Sequence, residues 1–570
     1  MSAVYNKSQS ERYRNYFTSE NELTKPFRVY SLQTGRIHSG SKVFKSWDSG
    51  KVGVPLSWNT ENGNIAVDHT DTHTLVIGPT GSKKSRLIVM PTVRILGSEG
   101  ESMIISDPKA EIFNRTAGYL KNLGYEILIL NLRSPIHGKR WNPLAIPFEF
   151  FMKGDIDKAY EFVNDIAENL IQTDKSENDP FWDNSAGSFF FGLVLLLFKY
   201  CKDFGKNKSY VHIGNVIRLR NILLSKQFIN GNFSQRNELL WSYAKADPII
   251  CSALIGTVET ANETKASILS VFDQKMRMFS IQPNLLDMLS ANDFELDMIG
   301  KQPTALFLIV PDEKTGYHGL ASLFIKQSYE YMIYHAQSYS ERNSFHVGKL
   351  KNRVNYILDE FSSLPTIRDF PAMITAARSR NIRFNLVIQS KHQLIQRYKD
   401  EAETIKTNCN NWIFFTSREL EMLEEISSLC GKTLADNPQP VLSVSLLQRL
   451  DKDDGEVLLL CGRMKPCITR LADISSYDKD HIVSVPVHER NKKILPALDF
   501  ELPLPNSINQ VHPDYWAKKV STNQNVDIED LIARIDKRIA ELEEEEAANN
   551  LANEKTDNSE KKDSNGGNET

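Results

Sequence analysis

Residues 72–85, THTLVIGPTGSKKS, constrain this chain more than any other stretch. Leu75, Val76 and Ile77 make the short apolar run of a buried parallel strand, and Gly78, Pro79, Thr80 and Gly81 break it. Lys84 and Ser85 then open a segment, 86–95, whose Leu87, Ile88, Val93 and Ile95 cover one helix face. Strand, glycine-bearing turn and helix in this order aim backbone N–H groups and a positive helix end at an anion. Gly78, Pro79, Thr80, Gly81, Ser82, Lys83, Lys84 and Ser85 are therefore the expected phosphate cradle, with Lys84 on the terminal phosphates and Ser85 on Mg2+.

One residue departs from the usual spacing, G-x-x-x-x-G-K-[ST]. Lys83 stands where the second glycine belongs. A lysine held there at positive φ is strained by about 1–3 kcal/mol, although its charge adds to the cradle. Hydrolysis is the property this residue puts in question.

A chain of 570 residues holds two or three domains. Its net charge of −4 does not announce a nucleic-acid binder, but the charge is uneven. Residues 541–570 carry ten Asp or Glu against three Lys, which leaves the body mildly basic and the tail acidic. Six cysteines without a C-x-x-C pair read as reduced thiols, and His69 and His73 as polar loop residues. The start is polar and charged, unlike a signal peptide. The most apolar run, FFFGLVLLLF at 189–198, lies in fifteen uncharged residues between Asp183 and Lys199, short of the roughly 20 that span a bilayer, and reads as a buried core helix.

Residues 1–50 are an extended lead-in, and 51–144 contain a short hairpin, the loop strand and two more buried strands, 102–106 and 126–132. Alternating β and α elements predict a parallel sheet wound with helices. From 145 to 297 helical periodicity takes over (156–171, 181–200, 211–224 and 253–278), as an all-α domain inserted into the α/β one; Arg218, Arg220, Lys226 and Arg236 are candidates for a basic face. The sheet resumes across 298–494 with strands at 304–310, 354–358, 384–388, 411–416 and 457–461. A proline-rich linker at 495–526 and an amphipathic helix with an acidic, disordered tail at 527–570 complete the chain.

The strand 354–358 runs into Asp359 and Glu360. Downstream of a phosphate loop, such a pair is the second half of an ATPase site: Asp359 holds Mg2+ and Glu360 polarises the attacking water beside ATP. Arg378 is a candidate for an arginine projected into a neighbouring subunit's site, and Gln389, at the end of the next strand, for a phosphate sensor.

In order along the chain, HTLVIGPTG with its Lys-Ser, SDPKAE, WNPL, DPFWDNSA, YILDEFSSLP, and RSRNI with VIQS resemble the type IV secretion coupling proteins, the TraG/TraD group of conjugative DNA-transfer ATPases. The resemblance spans residues 56–471 and implies a RecA-like P-loop domain with an inserted all-α domain, assembled as a homo-hexamer. It implies an ATPase that passes single-stranded DNA, with its relaxase, to the type IV secretion channel. Lys84, Ser85, Asp359, Glu360, Arg378 and Gln389 occupy the positions expected to act in hydrolysis. Family members usually begin with transmembrane helices; none is read here, so the expected location is cytoplasmic, peripheral at the inner face of the cell membrane, on a separate membrane-anchor subunit. Two further readings stay open: a non-hydrolysing adaptor that recruits the relaxosome, favoured by Lys83, and a soluble DNA pump of the FtsK/HerA kind.

Overall fold

Apolar runs bounded by Gly, Pro and Asp dominate both halves of the chain, and in the computed structural model they meet in one nine-stranded sheet. The structure describes residues 28–33, 36–38, 52–171, 180–225, 227–229, 232–234, 236–340, 348–433, 437–462, 464–477 and 484–500. The amphipathic helix and acidic tail expected at 527–570 lie outside these residues, as does Lys226.

The strands are β1 (Arg28–Ser31), β2 (Arg36–His38), β3 (Pro55–Asn59), β4 (Asn64–Val67), β5 (Thr74–Ile77), β6 (Ser102–Ser106), β7 (Glu126–Asn131), β8 (Gln227–Ile229), β9 (Asn232–Ser234), β10 (Thr304–Ile309), β11 (Val354–Leu358), β12 (Ile382–Ile388), β13 (Asn411–Phe414), β14 (Glu456–Cys461) and β15 (Cys467–Arg470). The large sheet has the order β15-β14-β13-β5-β12-β11-β6-β10-β7. From β13 to β7 every pairing is parallel, and β14 and β15 add antiparallel at one edge. Both faces are buried, so the strands read as unbroken apolar runs. Leu75 and Ile77 point into one core and Val76 into the other.

The lead-in is more structured than its composition suggests. β1 and β2 join the β3–β4 hairpin in a four-stranded antiparallel sheet, β2-β1-β4-β3, over the second core.

The elements described between β7 and β10 are helices apart from the β8–β9 hairpin. Its centre is the helix Phe181–Asp203, with Phe189, Phe190 and Leu193 to Phe198 buried. Gly192 lets the helix Pro248–Val258 come close, since a Cβ there would sit 2.7 Å from Leu254, and Phe189 meets Phe272 of the helix Asn262–Ile281 edge-on at 5.3 Å. The single helix expected over 253–278 is thus two, broken where Ala261 is extended (ψ 147), because each half packs on the central helix separately. The candidates for a basic face are ion-paired among the described residues: Arg218 with Asp499, Arg220 with Asp273, and Arg236 with Glu238 and Glu259.

The stretch read as a linker from 495 is docked as far as Phe500. The irregular 484–500 segment lays Arg490 on Asp287 (3.0 Å), bonds Leu498 N–H to Asn215 (3.1 Å), and sets Phe500 against Tyr200 in a tilted ring contact at 4.9 Å. It straps the helical region to the loop after β7, where the backbone N–H of Arg490 donates to Ile136 O.

Candidate nucleotide site

Parallel strands end together, so the sheet topology alone brings the loops after all seven parallel strands to one edge, among them those after β5, β6, β11 and β12. β5 ends in the glycine-bearing turn. Gly78 is required by close approach, since a Cβ there would lie 2.7 Å from Ser82 Oγ and 3.0 Å from Phe415 Cβ. Gly81 (φ 79) and Lys83 (φ 64) are both left-handed, so Lys83 does adopt the backbone of the glycine it replaces. Its ammonium is 2.8 Å from Asp453, away in the loop before β14.

The following helix begins with a π turn, Ser85–Val89, closed by Met90 N–H on Ser85 O, and continues as Met90–Ser98. Pro91 explains the widening: it has no N–H, and its ring would strike the preceding turn of a regular helix.

Lys84 is buried, and its ammonium donates to Gly78 O (2.5 Å) and Pro79 O (3.0 Å). Burial lowers its pKa, opposed by the charges of Asp359 and Glu360. Ser85 Oγ donates to Asp359 Oδ2 at 3.2 Å. Burial pushes Asp359 up to about 6, the neighbouring Glu360 charge adding to the shift and Lys84 opposing it. Glu360 is left-handed (φ 57) and accepts from Gln389 Nε2 at 2.6 Å; Gln389 Oε1 in turn accepts from Thr80 Oγ1 at 2.9 Å. A polar chain therefore runs from the glycine-bearing turn through the end of β12 to the carboxylate after β11.

Ser82 Oγ is buried with no hydrogen-bond partner among the described residues. Among those residues no group of three or more His, Cys, Asp or Glu side chains forms a metal cluster.

The sequence profile described as type IV secretory system conjugative DNA transfer matches residues 15–439. The chain belongs to that family. Solved structures agree on the fold. The unbound conjugative coupling protein TrwBdeltaN70 matches at 16% identity and TM-score 0.50, over 73% of this chain and 88% of that one. TrwB in complex with ADP and Mg2+ matches at 15% identity and TM-score 0.52 over 84% and 95%, and TrwB with a non-hydrolysable GTP analogue at 17% and 0.50 over 70% and 86%. No curated protein matches. The architecture is thus the RecA-like α/β domain with a helical domain inserted.

In this conjugative-transfer protein, Thr80, Lys84, Ser85, Asp359, Glu360 and Gln389 converge, whereas Arg378 does not. Arg378 is exposed on the turn before β12, at the opposite edge of the sheet, where its charge acts on His73. The seven residues of β12 put roughly 20 Å between the two edges. Two acids that the sequence left without a role also flank the site. Asp107, at the end of β6, caps the helix Glu111–Asn122 by accepting from Phe113 N–H (2.8 Å), and burial pushes it up to about 6. Its signal was visible, because β6 runs from apolar residues into an acid just as β11 does. Asp453 had none. Among the described residues one helix, Phe181–Asp203, is long and apolar enough to cross a membrane, and most of its apolar window is buried inside the protein.

Proposed function

We propose that this chain is the nucleotide-driven motor of conjugative DNA transfer, a hexameric P-loop ATPase that moves single-stranded DNA and its relaxase to the type IV secretion channel. One observation carries the reading: Lys84, Ser85, Asp359, Glu360, Gln389 and Thr80 meet at one sheet edge, Ser85 bonded to Asp359 and Gln389 joining Thr80 to Glu360.

The residues suit ATP and Mg2+. Ser85 Oγ and Asp359 Oδ2, 3.2 Å apart, are hard oxygen donors of the kind Mg2+ takes together with water and phosphate. Ser82 Oγ is a buried polar atom in need of a partner, inside a loop shaped for phosphate. TrwB has been solved with ADP and Mg2+. Held by Ser85 and Asp359, Mg2+ would supply charge neutralisation at the terminal phosphates.

Lys84 exchanges its two loop carbonyls for phosphate oxygens, a stronger, charge-assisted pairing. Glu360, oriented by Gln389, orders and polarises the attacking water. Gln389 also bonds Thr80, so a change at the phosphates reaches the end of β12 directly. Arg378 serves a neighbouring subunit, consistent with its exposure far from its own site. The domains of this reading are the nucleotide-binding parts at 51–144 and 298–494 and the helical insert at 145–297, which meets DNA and relaxase. A separate subunit would hold the ring at the inner face of the membrane.

Lys83 favours a second reading, a nucleotide-binding adaptor that recruits the relaxosome without hydrolysis, because its left-handed backbone is strained and its charge is turned to Asp453. The family match favours conjugative transfer over a DNA pump unconnected with secretion. Steady-state ATP hydrolysis with and without single-stranded DNA separates the first two. A motor shows DNA-stimulated turnover that Glu360→Gln lowers about 100-fold or more with nucleotide binding kept, and Lys84→Ala loses binding itself. Absence of turnover in a sample that assembles and binds DNA establishes the adaptor.

A further inference from the structure

Lys83 and Asp453 are 370 positions apart in sequence, yet their side chains form an ion pair of 2.8 Å beside the phosphate loop. Both ends stand on fixed backbone. Lys83 is locked in the left-handed region between Ser82 and the buried Lys84, with its carbonyl accepting from Leu87 N–H at 2.9 Å. Asp453 lies in an acidic turn where Asp451 Oδ1 accepts from the N–H groups of Asp453 (2.8 Å) and Asp454 (3.3 Å). Gly455 (φ 70) closes that turn, with no room for a Cβ, which would sit 2.6 Å from Leu471 O. Three residues after Lys83, Arg86 binds Asp473 through two bonds, 2.8 and 2.6 Å, so the same flank of the loop is held to the β15 side of the sheet twice.

The two ion pairs differ in what surrounds them. Arg86 makes a planar, two-bonded contact that keeps Asp473 at about 2. Lys83 is a point charge on a flexible four-carbon stem, and its carboxylate is largely exposed, so the contact is weak and exchangeable. A polyphosphate bound by Lys84 would place several negative charges within reach of that stem.

We propose that Asp453 is an internal competitor for the nucleotide phosphates: Lys83 leaves Asp453 for phosphate on nucleotide binding, and Asp453 thereby sets how tightly nucleotide is held. The inference rests on the nucleotide-site reading above and adds a residue to it. Because Lys83 replaces a glycine, the arrangement gives this phosphate loop a second cation together with an anion that restrains it.

A double-mutant cycle on the full chain tests it, with binding of Mg2+–ADP as the readout. Asp453→Asn is expected to bind about twofold to fivefold tighter than the parent, the range that exposed ion pairs span. In the Lys83→Gly background the same change should do nothing, and Lys83→Asn, which tolerates positive φ, should repeat that result. Asp454→Asn removes an equal charge one residue away, from a carboxylate that faces Arg470 at 3.4 Å, and should leave affinity unchanged. The proposal is overturned if Asp453→Asn has no effect, if the gain persists without Lys83, or if Asp454→Asn matches it. In those cases ADP still binds and the nucleotide site stands. Failure of every protein, the parent included, to bind ADP overturns the site and the proposal together.

Discussion

The two edges of the nine-stranded sheet both bury charge, and they treat it in opposite ways. At the edge where the parallel strands begin, Arg383 is fully buried and fully engaged: Nε donates to Asn355 (2.8 Å), Nη1 to Thr70 O (3.1 Å) and Nη2 to Val52 O, with Glu101 and Asp68 within 3.5 and 3.9 Å. Next to it Arg353 binds Asp71, and His73 is held at both ring nitrogens, by Ile374 O (2.8 Å) and Phe384 N–H (2.9 Å). At the edge where the strands end, Asp107 and Asp359 are desolvated acids, Lys84 has only loop carbonyls, Ser82 Oγ lacks a partner, and Lys83 and Glu360 hold left-handed backbones. Ion-paired charge marks the structural edge, where Arg353 Nη1 faces Glu101 at 3.6 Å without a hydrogen bond. Desolvated acids, an unpartnered hydroxyl and positive φ at Lys83 and Glu360 mark the opposite edge, the features of a binding site.

The largest expected effect breaks the ion-paired edge. Arg383→Met takes the buried guanidinium away from Asp68 and leaves Glu101 only Arg353, at 3.6 Å, and should cost about 3–5 kcal/mol in urea unfolding. A loss below about 1 kcal/mol would show that the network can be dismantled like a surface pair.

His73 comes next. Burial holds it down to about 4, from 6.5 in the unfolded chain. The unfolded state therefore binds the proton first as pH falls, so this contribution is intact above pH 6.5 and is lost between 6.5 and 4, amounting to about 3 kcal/mol. His73→Gln should flatten the loss relative to the parent over that window; parallel pH profiles of melting temperature would contradict it.

The smallest effect has the opposite sign. Asp359, raised to about 6, costs stability when ionised, so Asp359→Asn at pH 7.5 should raise stability by roughly 1–3 kcal/mol while weakening Mg2+-dependent nucleotide binding. Destabilisation there would mean that the two edges are built alike.

Much of the ligand edge is legible in the sequence. The Gly78 to Ser85 stretch, the acids after β11 and Gln389 after β12 each follow a short apolar run, and a buried parallel strand leaves that local signature. The supporting edge is not. His73 reads as a loop residue because nothing in its neighbours reveals that Ile374 and Phe384 enclose it. Arg383 sits in an apolar strand as one charge whose partners come from residues 52, 70 and 355. Strands β1 and β2 and the 484–500 strap escape a sequence reading for the same reason, since short edge strands and docked segments lack periodicity of their own, whereas the β3–β4 hairpin is the short hairpin expected ahead of the loop strand.

By itself the sequence determined the α/β class, the helical insert, the glycine-bearing turn after β5 and the family, because strand burial, helix periodicity and motif order are properties of neighbouring residues. Only the tertiary structure decided which of those residues meet. It joined Thr80, Gln389 and Glu360, set Arg378 at the far edge, and gave Lys83 a partner 370 positions away. The reason is physical: parallel strands gather loops from distant segments at one edge, and a side chain's partner there depends on sheet order, which no local pattern encodes.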